Sequence, residues 1–153
     1  MFKMLGTHEQ SEELAKTILL AEDDELIREI FAFFLRQQGY VVMEACNGVE
    51  ALNISEERID EKFDLLLTDI EMPIMGGLEL ANQIRISRPD IKVLLTSGSP
   101  RHMYVYGAGA DGSGEFLAKP FSFEELGRKV KLALDRQEPG VLATKQPEHA
   151  IVA

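Results

Sequence analysis

Short apolar runs and amphipathic segments alternate along this chain between residues 17 and 136. Thr17–Ala21 reads as a strand. Behind it, Leu26–Gln38 places Ile27, Ile30, Phe31, Phe34 and Leu35 three and four residues apart, the single apolar stripe of a helix, and Gly39 is suited to end it. Tyr40–Ala45 reads as a second strand. Asn47 then caps a helix to about Ile59, with Val49, Leu52 and Ile54 as a weaker stripe. Phe63–Thr68 is apolar throughout, as expected of a strand covered on both faces. Gly77–Arg88 is predicted to be a helix stopped near Pro89. Ile91–Thr96 and the short Glu115–Ala118 complete the strands. Ser122 opens a last helix, with Glu125 three residues on as a capping box and Leu126, Val130, Ala133 and Leu134 facing inward.

Strands alternating with helices imply one parallel sheet with helices on both faces, joined by right-handed crossovers. The domain is predicted over residues 17–136, after a flexible arm at 1–16 and before a disordered tail at 137–153 that lacks periodicity. In the crossover between the last two strands, residues 97–115, Gly98, Gly107, Gly109, Gly112 and Gly114 weaken any helix, since each glycine costs about 1 kcal/mol relative to alanine. A short or irregular helix is expected there.

In such sheets function collects at the carboxyl ends of the strands. The first strand ends in Glu22 and Asp23, the third in Asp69, the fourth in Thr96 and Ser97, the fifth in Lys119 and Pro120. Glu22 to Glu25 would repel one another at neutral pH unless something neutralised part of their charge. Oxygen ligands without His or Cys point to a hard cation, and Mg²⁺ needs only one or two carboxylates plus waters. Asp69 is then placed to attack a phosphoryl group, Lys119 to neutralise its oxygens and the Thr96 hydroxyl to hydrogen-bond one of them. Asp24 and Glu25 are explained by the start of the first helix, where negative charge is favoured.

The whole chain bears this out and excludes other classes. With 153 residues, 45% hydrophobic, it suits one globular domain. Its 26 acidic against 16 basic residues give a net charge of -10, the wrong sign for nucleic acid or anionic lipid. Cys46 is the sole cysteine, so no internal disulfide framework exists and a reducing compartment is favoured. No apolar stretch reaches the ~18 residues needed to span a bilayer, and the opening residues do not form a secretory signal. A cytoplasmic protein is expected.

The motifs LLAEDD, LLLTDIEMPIMGG, VLLTSG and FLAKPF together resemble those of the response regulator receiver domain of two-component signalling, over about residues 17–136. The resemblance implies a flavodoxin-like (CheY-like) α/β fold with strand order 2-1-3-4-5. It also implies a phosphoacceptor signalling domain that takes a phosphoryl group from a kinase phosphohistidine and is not a turnover enzyme. Glu22 and Asp23 match the metal-binding acidic pair and Asp69 the phosphoacceptor. The Glu71 backbone carbonyl would complete the Mg²⁺ ligands. Thr96 matches the switch hydroxyl, Phe116 the switch aromatic and Lys119 the phosphoryl-binding lysine, while Pro120 matches a proline usually preceded by a cis bond. The partners implied are a sensor histidine kinase or histidine phosphotransfer protein and an unidentified downstream protein, with the chain a monomer or weak homodimer acting as a stand-alone receiver.

Three residues depart from the pattern. The Glu71 side chain could add metal affinity or screen the phosphoryl group from water, Ser97 stands where the family often has a small apolar residue, and His102 reads as an exposed loop histidine. Two other classes fit less well. A haloacid dehalogenase-type phosphatase places its nucleophile on the first motif strand and its acidic pair last, the reverse of this order. A flavodoxin would need an anion-friendly first loop in place of four carboxylates. A phosphorylation-independent, receiver-like interaction domain is the remaining alternative.

Overall fold

The two faces of one sheet organise this protein, whose computed structural model describes residues 14–102 and 116–136. The strands are β1 (Thr17–Ala21), β2 (Val41–Ala45), β3 (Leu65–Asp69), β4 (Lys92–Ser97) and β5 (Phe116–Ala118). They run parallel in the order β2-β1-β3-β4-β5, the flavodoxin-like arrangement expected. Successive side chains on a strand point to opposite faces, and here both faces are apolar. Leu19, Ala21, Leu66 and Leu95 lie on one face, under Ala51 of α2 (Gly48–Glu57) and Leu80, Ala81 and Ile84 of α3 (Gly77–Ser87). Ile18, Leu20, Leu67 and Leu94 lie on the other, under Leu35 of α1 (Glu25–Gln37) and Leu126 and Val130 of α4 (Phe123–Asp135).

Caps set most of the helix starts. Asp24 accepts the Ile27 N–H at 3.0 Å, Asn47 the Glu50 N–H at 2.8 Å and Ser122 the Glu125 N–H at 3.1 Å. Each satisfies a donor that the first helical turn leaves without a partner. Gly39, at φ 96°, ends α1 in a conformation that suits glycine.

The loop after β3 is held differently. The Gly77 N–H bonds the Ile70 carbonyl at 2.9 Å, and a Cβ on Gly77 would run into the Asp69 carbonyl. Within this loop the Met75 N–H bonds the Pro73 carbonyl at 2.8 Å across Ile74, whose φ is 74°. That is a strained turn for a β-branched residue.

Two helical stripes differ from expectation. Ile30 is 40% exposed and Ala32 is buried in its place, because α1 meets the sheet through a narrower line centred on Ala32 and Leu35. In α2 the buried line is Gly48, Ala51 and Ser55, with Leu52 and Ile54 partly covered and Val49 turned outward. Small residues there let α2 approach closely: the Gly48 N–H reaches the Met75 carbonyl at 3.2 Å. After β4, residues 100–102 are helical; the rest of the expected short fourth helix, and most of the expected arm and tail, lie outside the described residues. Among the described residues, no helix is long and apolar enough to cross a membrane.

Candidate functional site

Parallel register brings the strand ends level with one another. Asp69 is the last residue of β3 and pairs with Thr96 of β4, whose carbonyl also accepts the Ile70 N–H at 2.9 Å. Glu22 follows β1 and is anchored by its N–H to the Ala45 carbonyl at 3.1 Å. Lys119 follows β5 and is anchored by its N–H to the Ser97 carbonyl at 2.9 Å, just before a cis Lys119–Pro120 peptide. Strand pairing therefore aims these side chains into one space.

There the Lys119 ammonium donates to Glu22 Oε1 at 2.9 Å and to Asp69 Oδ2 at 3.2 Å. Carboxylate oxygens of Glu22, Asp23 and Asp69 all lie within 4.8 Å of one another. Glu22 is buried and Asp69 nearly so, whereas Asp23 is exposed at the mouth. The second oxygen of Glu22 accepts the Asp24 N–H at 3.2 Å, and the Glu71 N–H lies 3.4 Å from Asp69 Oδ1.

Burial raises the pKa of Glu22 and of Asp69 above the ordinary carboxylate range, although Lys119 pulls both the other way. For Lys119 burial acts downward, but its bond to Glu22 and the charges of Asp69 and Glu22 outweigh it and raise its pKa. Three carboxylates thus share one ammonium, and the lysine alone does not offset the loss of water around the buried pair. A set of hard oxygen donors carrying excess negative charge, open on the Asp23 side, suits a small divalent cation such as Mg²⁺.

Other residues singled out in the sequence fall around this centre. Thr96 and Ser97 are buried at the end of β4, and Phe116 is buried in the core on the face covered by α2 and α3. The Glu71 side chain is 66% exposed and approaches His102 Nδ1 at 3.4 Å, outside the three-acid cluster. His102 is half-buried and hydrogen-bonded to Ser97 at 2.8 Å, not the exposed loop histidine expected. Four intervening residues, Gly98 and Pro100 among them, hid that pairing. Arg28 was also missed. It donates to the Glu22 carbonyl at 2.9 Å and pairs with Glu44 at 3.5 Å, holding the backbone of the acidic turn. An arginine on the polar side of a helix carries no signal of such a role.

Comparison with known proteins agrees with this geometry. The response regulator receiver domain family matches residues 18–131. The chain is 38% identical over 122 residues to sensor kinase CckA of Brucella abortus, covering 80% of this chain but only 13% of that kinase. It is 36% identical over 119 residues to the response regulator receiver protein CpdR of the same organism, covering 78% of this chain and 97% of that protein. Among solved structures, response regulator TrrA of Thermotoga maritima, in complex with Mg²⁺-BeF, aligns with TM-score 0.61 and 34% identity over 76% of this chain and 96% of that one.

Proposed function

The chain belongs to the response regulator receiver domain family of two-component signalling, and from that premise we propose that Asp69 is its phosphoacceptor. The observation that carries this reading is the Lys119 ammonium bridging Glu22 and Asp69, with Asp23 alongside. An Asp69 oxygen attacks the phosphorus of a phosphohistidine in line, forming an O–P bond as the P–N bond breaks. The imidazole leaves with the electron pair and takes a proton. Lys119 stands where it neutralises phosphoryl oxygens, and the Thr96 hydroxyl bonds one of them after transfer. Glu22, Asp23, Asp69 and the Glu71 carbonyl would hold Mg²⁺, which offsets charge on the transferring group. Thr96 and Phe116 are the residues through which the new charge is read on the protein surface.

The donor is a histidine kinase or a histidine-bearing transfer protein. An apolar groove of about 460 Å³ beside Lys119, lined by Ile27, Ile30, Phe31, Pro120 and Phe121, offers it a docking surface. The protein acts as a signalling domain that modifies itself. Incubation with Mg²⁺ and a small phosphodonor should add one phosphoryl group, seen by intact mass. Asp69→Ala should abolish it, and equal labelling of the two proteins would overturn the assignment.

A further inference from the structure

Beside the acidic pocket, side chains from two crossovers meet on the same sheet edge. Ser97, the last residue of β4, is buried; its Oγ accepts the Ser99 N–H at 3.0 Å and hydrogen-bonds His102 Nδ1 at 2.8 Å. A hydroxyl both donates and accepts, so Ser97 serves Nδ1 in either tautomer. The same Nδ1 lies 3.4 Å from Glu71 Oε1, in the loop that follows Asp69. His102 is therefore bonded to the end of β4 just beyond Thr96 and lies against the Glu71 side chain of the loop just beyond Asp69, two positions already joined through the β3–β4 register.

We propose that His102 is a positioning residue for phosphoryl acceptance: through Ser97 it holds the end of β4 in its present arrangement, and phosphorylation of Asp69 proceeds against that restraint. The proposal rests on the reading of Asp69 as acceptor and Thr96 as its hydroxyl partner. Thr96 and Ser97 are consecutive and both buried. A close-packed interior leaves little room for one to turn unless its bonded neighbour yields. A hydrogen bond made in only one of two arrangements biases their equilibrium by its own net free energy. For an ordinary hydrogen bond that is about five-fold. Glu71 adds less, because a pair with so exposed a carboxylate is weak. Its part is to steer the imidazole ring.

The test uses the full chain with Mg²⁺ and beryllium fluoride as a phosphoryl substitute that cannot be hydrolysed. His102→Ala should tighten beryllium fluoride binding about five-fold, an ordinary hydrogen bond's effect. Ser97→Ala should do the same, and the double variant no more than either alone. His102→Asn, whose amide offers a hydrogen-bonding atom near the Nδ1 position, should return to the wild-type affinity. Unchanged or weaker binding in His102→Ala, or additive effects of the two substitutions, would overturn the proposal. So would a lower melting temperature with affinity unaltered, the mark of a purely structural role. Loss of binding in Asp69→Ala keeps the acceptor reading intact through any of these results, whereas retention of binding there would overturn the acceptor assignment itself.

Discussion

Arg88 and Lys119 stand at opposite ends of the sheet, and each closes a gap between elements with a single cation. At the amino end, Arg88 Nε donates to Ser55 Oγ at 2.7 Å and Nη1 to the Glu61 carbonyl at 2.6 Å. Its Nη2 donates to the carbonyls of Ser55 at 3.0 Å and Arg58 at 2.7 Å, and the guanidinium lies 4.6 Å from the centre of the Phe63 ring. These oxygens are neutral, and the last carbonyls of α2 gain the donors that a helix end lacks. Burial lowers the pKa of Arg88, yet a guanidinium stays charged. At the carboxyl end, Lys119 meets two buried carboxylates with a third beside them, and charge is left over. One end satisfies its groups with what the chain supplies. The other carries more negative charge than its single lysine offsets, and a bound cation would balance it.

Substitutions can separate the two ends. Gly77→Ala should have the largest effect, about 3 kcal/mol of lost stability in urea denaturation, because its Cβ needs the space of the Asp69 carbonyl. Phosphoryl labelling should fall with it, since Asp69 has to shift; a loss below about 1 kcal/mol would show that the loop relaxes at little cost. Arg88→Ala should cost about 2 kcal/mol through its orphaned partners, with the labelling rate of the folded protein unchanged. A slower rate would mean that the two ends are coupled.

A smaller effect is expected from pH. Glu22 and Asp69 have pKa values raised in the fold, so their protonated forms are the ones folding favours. Their stabilising contribution is complete below the unfolded values near pH 4 and is lost as pH rises through the folded ones. In chelator, Glu22→Gln should therefore gain stability relative to wild type between acid and neutral pH, and Mg²⁺ should narrow the difference. A difference that stays flat with pH would refute the raised pKa of Glu22. Least of all, Ile74→Gly should stabilise by about 0.5–1 kcal/mol, since glycine adopts the positive φ without strain and the lost side chain is mostly exposed. Thermal unfolding would detect it, and destabilisation would show that Ile74 packs in a way its exposure hides.

The strands were legible because a sheet covered on both faces needs continuous apolar runs, and the caps because Asp24, Asn47 and Ser122 precede regular helical patterns. The acidic centre was legible for a related reason: parallel strands deliver their last residues to one edge, so Glu22, Asp23, Asp69, Thr96 and Lys119 could be gathered from strand ends alone. Periodicity was a poorer guide to depth. Ile30 and Val49 belong to apolar stripes, but how far a helix rolls on the sheet depends on its neighbours, and small residues at 32, 48 and 51 took the closest positions.

The sequence by itself determined the alternation of strands and helices along the chain and the side chains brought to the sheet's carboxyl edge, since local period and strand-end placement carry that information. The order of strands within the sheet came only with the family resemblance. Only the tertiary structure decided that Lys119 bridges Glu22 and Asp69, that Arg88 closes the opposite end, and that His102 joins Ser97 and Glu71. Those pairings bring together residues up to 97 positions apart. Distances of a few ångströms between such residues follow from how helices and loops settle on the sheet, which no local pattern records.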